Sequence, residues 1–165
     1  MLESQGGPST CTCDLLEGFY DIGVPVDLLS SKPVVTTTSN KEAVLGEGRP
    51  WMKLLECDYR TPLALSKNMD KFLQETEYEL YHANSLWLYP THATCRYARK
   101  MGKPYVLCTH GMLYPTALKV SGWKKKLMGA LWYKVDIMRA TCIHTTCQQE
   151  MENVREYGYK GPIAV

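Results

Sequence analysis

The chain has little excess charge: 19 basic and 17 acidic side chains leave a formal net charge of +2. That is too small to draw nucleic acid by bulk electrostatics, so no nucleic-acid partner is expected. Long apolar runs are missing as well. The longest in the second half, residues 127–133, falls far short of the roughly 20 residues that span a bilayer. The opening Met1-Leu2-Glu3-Ser4-Gln5 lacks the basic start and apolar core of a secretory signal. No Cys-x-x-Cys pair occurs among the seven cysteines, which argues against a zinc site. Cys11 and Cys13, two apart at a helix start, point in different directions, and Cys142, His144 and Cys147 have no second pair to complete four ligands. An odd number of scattered cysteines fits a reducing cytosol rather than a disulfide framework. Also absent is the G-x-G-x-x-G spacing with a ribose-binding acidic residue, which argues against a dehydrogenase or flavodoxin-like domain.

What is present reads as one globular α/β domain. With 165 residues, 45% hydrophobic and 22% charged, the chain is long enough to bury a core. Three times a helical pattern ends at glycine, meets proline within a few residues and enters an apolar run: Gly23/Pro25, Gly102/Pro104 and Gly158/Pro162. That alternation predicts βα units on a mostly parallel, doubly wound sheet. The first helix follows Pro8 and turns Leu15, Leu16, Phe19 and Ile22 inward by their spacing, and residues 24–29 form a strand. Residues 30–59 are a long excursion with one short strand. A helix starting near Pro62 carries Leu63, Leu65, Met69, Phe72 and Leu73 inward. Residues 79–84 are a strand, 85–90 a loop, and Thr91 caps a helix that stops at Gly102. A helical region opens at Ser121 or Gly122 and continues to about Arg139, with Trp123, Leu127, Leu131, Trp132 and Val135 along one side. Residues 142–145 are a strand, Thr146 and Gln149 have capping-box spacing, and Pro162-Ile163-Ala164-Val165 begins a further strand. A glycine-rich loop with almost nothing before it, and a final strand cut short, make both ends look truncated.

The centre of the pattern is Tyr105-Val106-Leu107-Cys108 followed by Thr109-His110-Gly111. A short β-branched and aromatic run bounded by breakers reads as a buried strand. In open α/β sheets ligands sit beyond the carboxyl ends of the strands, which is where His110 and Gly111 fall. His110 is therefore the candidate catalytic residue, able to hydrogen-bond a substrate hydroxyl or, with its neighbouring backbone, stabilise developing charge. The alternative is a histidine hydrogen-bonded at a strand end without chemistry. His82, Asn84 and Ser85 end another strand and either line the same cleft or cap their loop. His92 and His144 read as structural. Cys108 reads as a small buried hydrophobe rather than a nucleophile.

Taken in order, Gly6-Gly7-Pro8-Ser9, Trp87-Leu88-Tyr89-Pro90, Gly102-Lys103-Pro104-Tyr105-Val106, Thr109-His110-Gly111-Met112, Trp123-Lys124-Lys125-Lys126 and Gly158-Tyr159-Lys160-Gly161-Pro162-Ile163 resemble the amino-terminal half of a family-four glycosyltransferase of the GT-B fold. The likeness is to bacterial members that build surface polysaccharides. It implies one Rossmann-like half that holds the acceptor, while a second domain binds the nucleotide-sugar. It further implies transfer with retention of configuration and no bound metal or cofactor beyond the donor itself. By matching position, Gly6 and Gly7 form a loop near the donor phosphates and acceptor, and His110 points into the cleft beside Gly111, Asn84 and Ser85. Family members often carry glycine where Ser85 stands.

Gly6-Gly7 before a helix would offer free backbone N–H groups to an anion, with help from the helix dipole; the alternative is an ordinary loop. Trp123 with Lys124, Lys125 and Lys126 could touch an anionic membrane surface, although a core-facing helix with a solvated basic edge is favoured. The resulting expectation is a transferase acceptor domain, inactive without its donor half and acting on a cell-surface polysaccharide or lipid-linked glycan. It would be cytoplasmic, or peripheral on the inner face of the cytoplasmic membrane. The rival reading is a non-catalytic glycan-binding or scaffold domain that needs a partner chain.

Overall fold

The computed structural model describes residues 7–31, 46–57, 64–120, 122 and 127–165. The chain divides into two compact units, Met1–Met69 and Asp70–Val165.

In the first unit, helix α1 (Gly7–Asp21) precedes two parallel strands, β1 (Leu28–Ser31) and β2 (Met52–Leu55), paired Leu28 to Met52 through Ser31 to Leu55. α1 buries Ser9, Thr12 and Leu16, whereas Leu15, Phe19 and Ile22 are exposed, Ile22 by 74%. Helical spacing defines a stripe but not what covers it. Here Glu17 accepts a 3.0 Å bond from the buried Trp51 indole N–H and pairs with Arg49 at 2.8 Å, which turns Leu16 rather than Leu15 inward. Helix α2 (Lys67–Glu75), which spans the boundary between the units, starts later than Pro62, because Ser66 caps it: the Met69 N–H donates to Ser66 Oγ at 3.1 Å, the usual N-cap geometry. Met69 and Leu73 on this helix are fully buried. The expected inward role of Leu63 lies outside the described residues.

The second unit holds a four-stranded, wholly parallel sheet in the order β3 (Tyr81–Asn84), β4 (Tyr105–Cys108), β5 (Cys142–His144) and β6 (Ile163–Ala164). Its connections carry α3 (Tyr89–Lys100), α4 (Pro115–Lys119), a π-helical turn (Gly129–Tyr133) continuing into α5 (Lys134–Met138), and α6 (Gln148–Tyr157). Each pair of neighbouring parallel strands is joined by one of these helical connections. Along the strands Tyr81, Ala83, Tyr105, Leu107 and Ile143 are buried, while His82 and His144 at alternate positions are exposed. This is Rossmann-like α/β architecture, with parallel strands in both sheets.

The glycine stops have one physical form. At Gly23, Gly102 and Gly158 the chain turns left-handed, with φ of 75°, 66° and 112°. At each, the glycine N–H bonds the carbonyl three residues back and the next N–H the carbonyl five back, as in Val24 to Phe19, Lys103 to Ala98 and Tyr159 to Val154. Those are Schellman closures, in which glycine takes the conformation without a Cβ penalty.

Two local expectations change. α3 begins at Tyr89 with no side-chain cap, and the Thr91 hydroxyl instead donates to the Asn84 carbonyl at 3.0 Å, tying the helix to the end of β3. The helical segment after Gly122 does not bury the expected stripe: Leu127 and Val135 are about half exposed, while Tyr133, Asp136 and Ile137 are buried. The Lys134 N–H reaches back five residues to the Gly129 carbonyl. This π turn inserts a residue into the helical repeat and rotates the buried face. Trp123 and Lys124 to Lys126 lie outside the described residues.

Asp136 is wholly buried and joins α5 to α3. His92 Nδ1 stands 2.8 Å from one carboxylate oxygen and Arg99 is 2.6 Å from the other. The Tyr105 hydroxyl donates to the Asp136 carbonyl at 2.6 Å, and the Trp132 ring stacks on His92 with centroids 5.0 Å apart.

Candidate functional site

β3 and β4 run parallel and in register, Asn84 beside Cys108, so the loops that follow them leave the sheet at the same edge. Both loops use left-handed backbone: φ is 72° at Ser85, 66° at Trp87, 45° at His110 and 72° at Gly111. Non-glycine residues in this region are strained, and such strain gathers at binding sites. At Gly111 a Cβ would come within 3.2 Å of the Tyr114 ring as well. The glycine is required twice over, by conformation and by space.

His110 and Asn84 meet at this edge, Nε2 to Oδ1 at 3.2 Å, so the imidazole N–H donates to the amide oxygen. The Ser85 N–H donates to the Cys108 carbonyl at 2.9 Å and holds the two loops together. The structure therefore brings together His110, Asn84, Ser85 and Gly111, all half-buried. Gly7 is the first residue of α1 in the other unit, and Gly6 lies outside the described residues. The left-handed φ of Ser85 also explains why glycine suits that position.

Two further histidines surround the pair. His82 lies on β3 and His144 on β5, their ring centroids 6.3 Å apart. His82 keeps contact with solvent, yet the protein atoms packed around it partly desolvate the ring and lower its pKa below the usual value, and His144 and then His110 lower it further by repulsion between cations. Burial likewise lowers that of His110, with the Glu150 charge opposing and His144 assisting. At neutral pH both therefore favour the uncharged imidazole, able to donate at one nitrogen and accept at the other. Cys108 is no nucleophile here, since burial pushes its thiol up to about 11. Among the described residues no group of His, Cys, Asp or Glu is arranged to hold a metal ion.

Glu150 is the residue that sequence reasoning missed. It is wholly buried, yet its carboxylate accepts from the Thr109 hydroxyl at 2.6 Å and the Gly111 N–H at 2.5 Å through one oxygen. The other oxygen accepts from the Thr146 N–H and hydroxyl, both at 2.8 Å. Burial acts to raise its pKa, but the bonds from Gly111, Thr109 and Thr146 outweigh that and leave it below the ordinary value. The available signal was Thr146 at the entrance to a helix. The expected partner, Gln149, instead bonds Glu152, because α6 starts at Gln148 and places Glu150 in the third position.

Comparison with protein-family models matches residues 6–165 to the glycosyl transferase 4-like domain. The chain belongs to that family. Neither the curated proteins nor the solved structures give a match. The strand-end cluster of His110, Asn84, Ser85 and Gly111 thus belongs to a glycosyltransferase domain, and among its described residues no helix is long and apolar enough to cross a membrane.

Proposed function

We propose that this glycosyl transferase 4-like domain forms the acceptor side of an enzyme that moves a sugar from a nucleotide-sugar to a cell-surface polysaccharide or lipid-linked glycan. The observation that carries the reading is the neutral His110 held against Asn84 at the carboxyl edge of β3 and β4, within a chain matched to this family over nearly its whole length. A fixed imidazole and amide at a strand-end cleft offer the paired donors and acceptors that sugar hydroxyls require. In this reading His110 touches the reacting sugar, Asn84, Ser85 and Gly111 line the acceptor pocket, and Gly6-Gly7 approaches the donor phosphates. The nucleotide-sugar is a substrate, no resident metal takes part, and the domain works in the cytoplasm or at the inner membrane face through Trp123 and Lys124 to Lys126.

The test is sugar transfer by the enzyme that contains this domain, using a panel of nucleotide-sugars and a polyprenyl-linked glycan. His110→Ala should lower kcat about tenfold or more, the equivalent of one substrate hydrogen bond, with an unchanged circular dichroism spectrum. Unchanged turnover would remove His110 from the site. Acidic-lipid vesicles that fail to sediment the protein at low salt would dispose of the membrane contact.

A further inference from the structure

The Thr109-His110-Gly111 turn holds two successive left-handed residues, and local sequence accounts for only the glycine. Something must hold His110 at a φ of 45°, which its side chain disfavours. The only buried carboxylate bonded to this turn among the described residues is Glu150, whose first oxygen grips the residues on both sides of His110. Its second oxygen grips Thr146, so the β4 loop is fastened to the entrance of α6. The residues it binds lie 39 to 41 positions away on one side and four on the other. Such a bridge exists only in the folded chain, where β4 and β5 pair in parallel.

We propose that Glu150 is the positioning residue of the site: it holds the turn that aims the His110 imidazole at Asn84. The role rests on the reading of His110 as a substrate contact, but its physical content is a coupling between two named side chains that can be measured directly. Glu150 itself does not touch substrate; it is buried, and its hydrogen-bonding capacity is taken up by the two loops. Its charge also reaches the imidazole. The groups that act electrostatically on His110 are Glu150 from α6, which favours the imidazolium, and His144 from β5, which opposes it; His110 in turn acts on His82 of β3.

The experiment follows the His110 imidazole nitrogens by NMR in the 165-residue chain, across pH, in the wild type, Glu150→Gln, Thr109→Val and Thr109→Ser. An amide at 150 turns one oxygen into an N–H₂ group, so whichever way it faces one backbone N–H, of Gly111 or of Thr146, loses its acceptor and the threonine hydroxyl beside it must turn from donor to acceptor. In Glu150→Gln the His110 signals should move and the titration midpoint should fall, because burial and His144 then act without the opposing charge. Thr109→Val keeps the charge but removes one donor. It should alter the ring signals, and Thr109→Ser should restore them. Folded Glu150→Gln with His110 signals and midpoint as in the wild type would overturn the proposal. If Glu150→Gln does not fold, Thr109→Val decides, and ring signals identical to the wild type would overturn it equally. Unchanged turnover in His110→Ala would instead remove the site reading while leaving a measured coupling intact, so the two failures are distinct.

Discussion

The buried Asp136 provides the most demanding stability test. Asp136→Ala removes a fully buried carboxylate that faces His92 at 2.8 Å and Arg99 at 2.6 Å. It leaves a half-buried guanidinium and a buried imidazole without their partner, and opens a small void between α3 and α5. Breaking a buried pair from one side costs about 3–5 kcal/mol, which for a chain of this length lowers Tm by roughly 6–20 °C. Asp136→Asn separates charge from shape: it keeps an acceptor for Arg99 and offers an N–H₂ to an acceptor nitrogen of His92, so its loss should be smaller. Urea and thermal unfolding of both variants, followed by far- and near-ultraviolet circular dichroism, give the values. A double-mutant cycle with His92→Ala should show a coupling above about 0.5 kcal/mol, as expected of residues in one network. A loss below about 1 kcal/mol in Asp136→Ala would refute the reasoning, because the cluster would then be no more than a tolerated charge.

Backbone strain supplies a pair of opposite predictions. Ser85→Gly relieves a φ of 72° and should raise stability by up to about 1 kcal/mol, less whatever the more flexible unfolded chain takes back. Gly102→Ala meets no atom within 4 Å yet should cost about 1 kcal/mol from φ alone; thermal melts of the two variants measure both. The pH dependence should have two steps. His82 and His110 have depressed folded pKa values, so their contribution is complete above the unfolded histidine value and is lost as pH falls through their folded values; chemical denaturation between pH 7 and 5 should show the decline, and His82→Ala should flatten it. Glu150 is depressed too, so a second loss should appear below the ordinary carboxylate range and vanish in Glu150→Gln.

Much of the fold was legible because its signals are local. The three glycine stops are closures within six residues, and Tyr105–Cys108 forms the strand its composition implies. The strand-end rule placed His110, Gly111, Asn84 and Ser85 at one edge, and parallel register brings β3 and β4 there together. Periodicity was less informative wherever a neighbour chose the buried face. Leu15, Phe19 and Ile22 share a stripe that α1 leaves in water, because Glu17 is held by Trp51 and Arg49.

By itself the sequence determined the βα alternation, the chain reversals and the strand that ends at Cys108, just before His110, since each depends on propensities of adjacent residues. Only the tertiary structure decided which charges meet. Asp136 finds His92 44 positions away, and Glu150 finds Thr109 41 positions away. It also decided the phase of the helix before α5, where a five-residue hydrogen bond at Gly129 shifts the face that Leu127 and Val135 would have shared. Buried carboxylates are stable only when distant donors satisfy them, and those donors are assembled by the folded sheet rather than by neighbours in the chain.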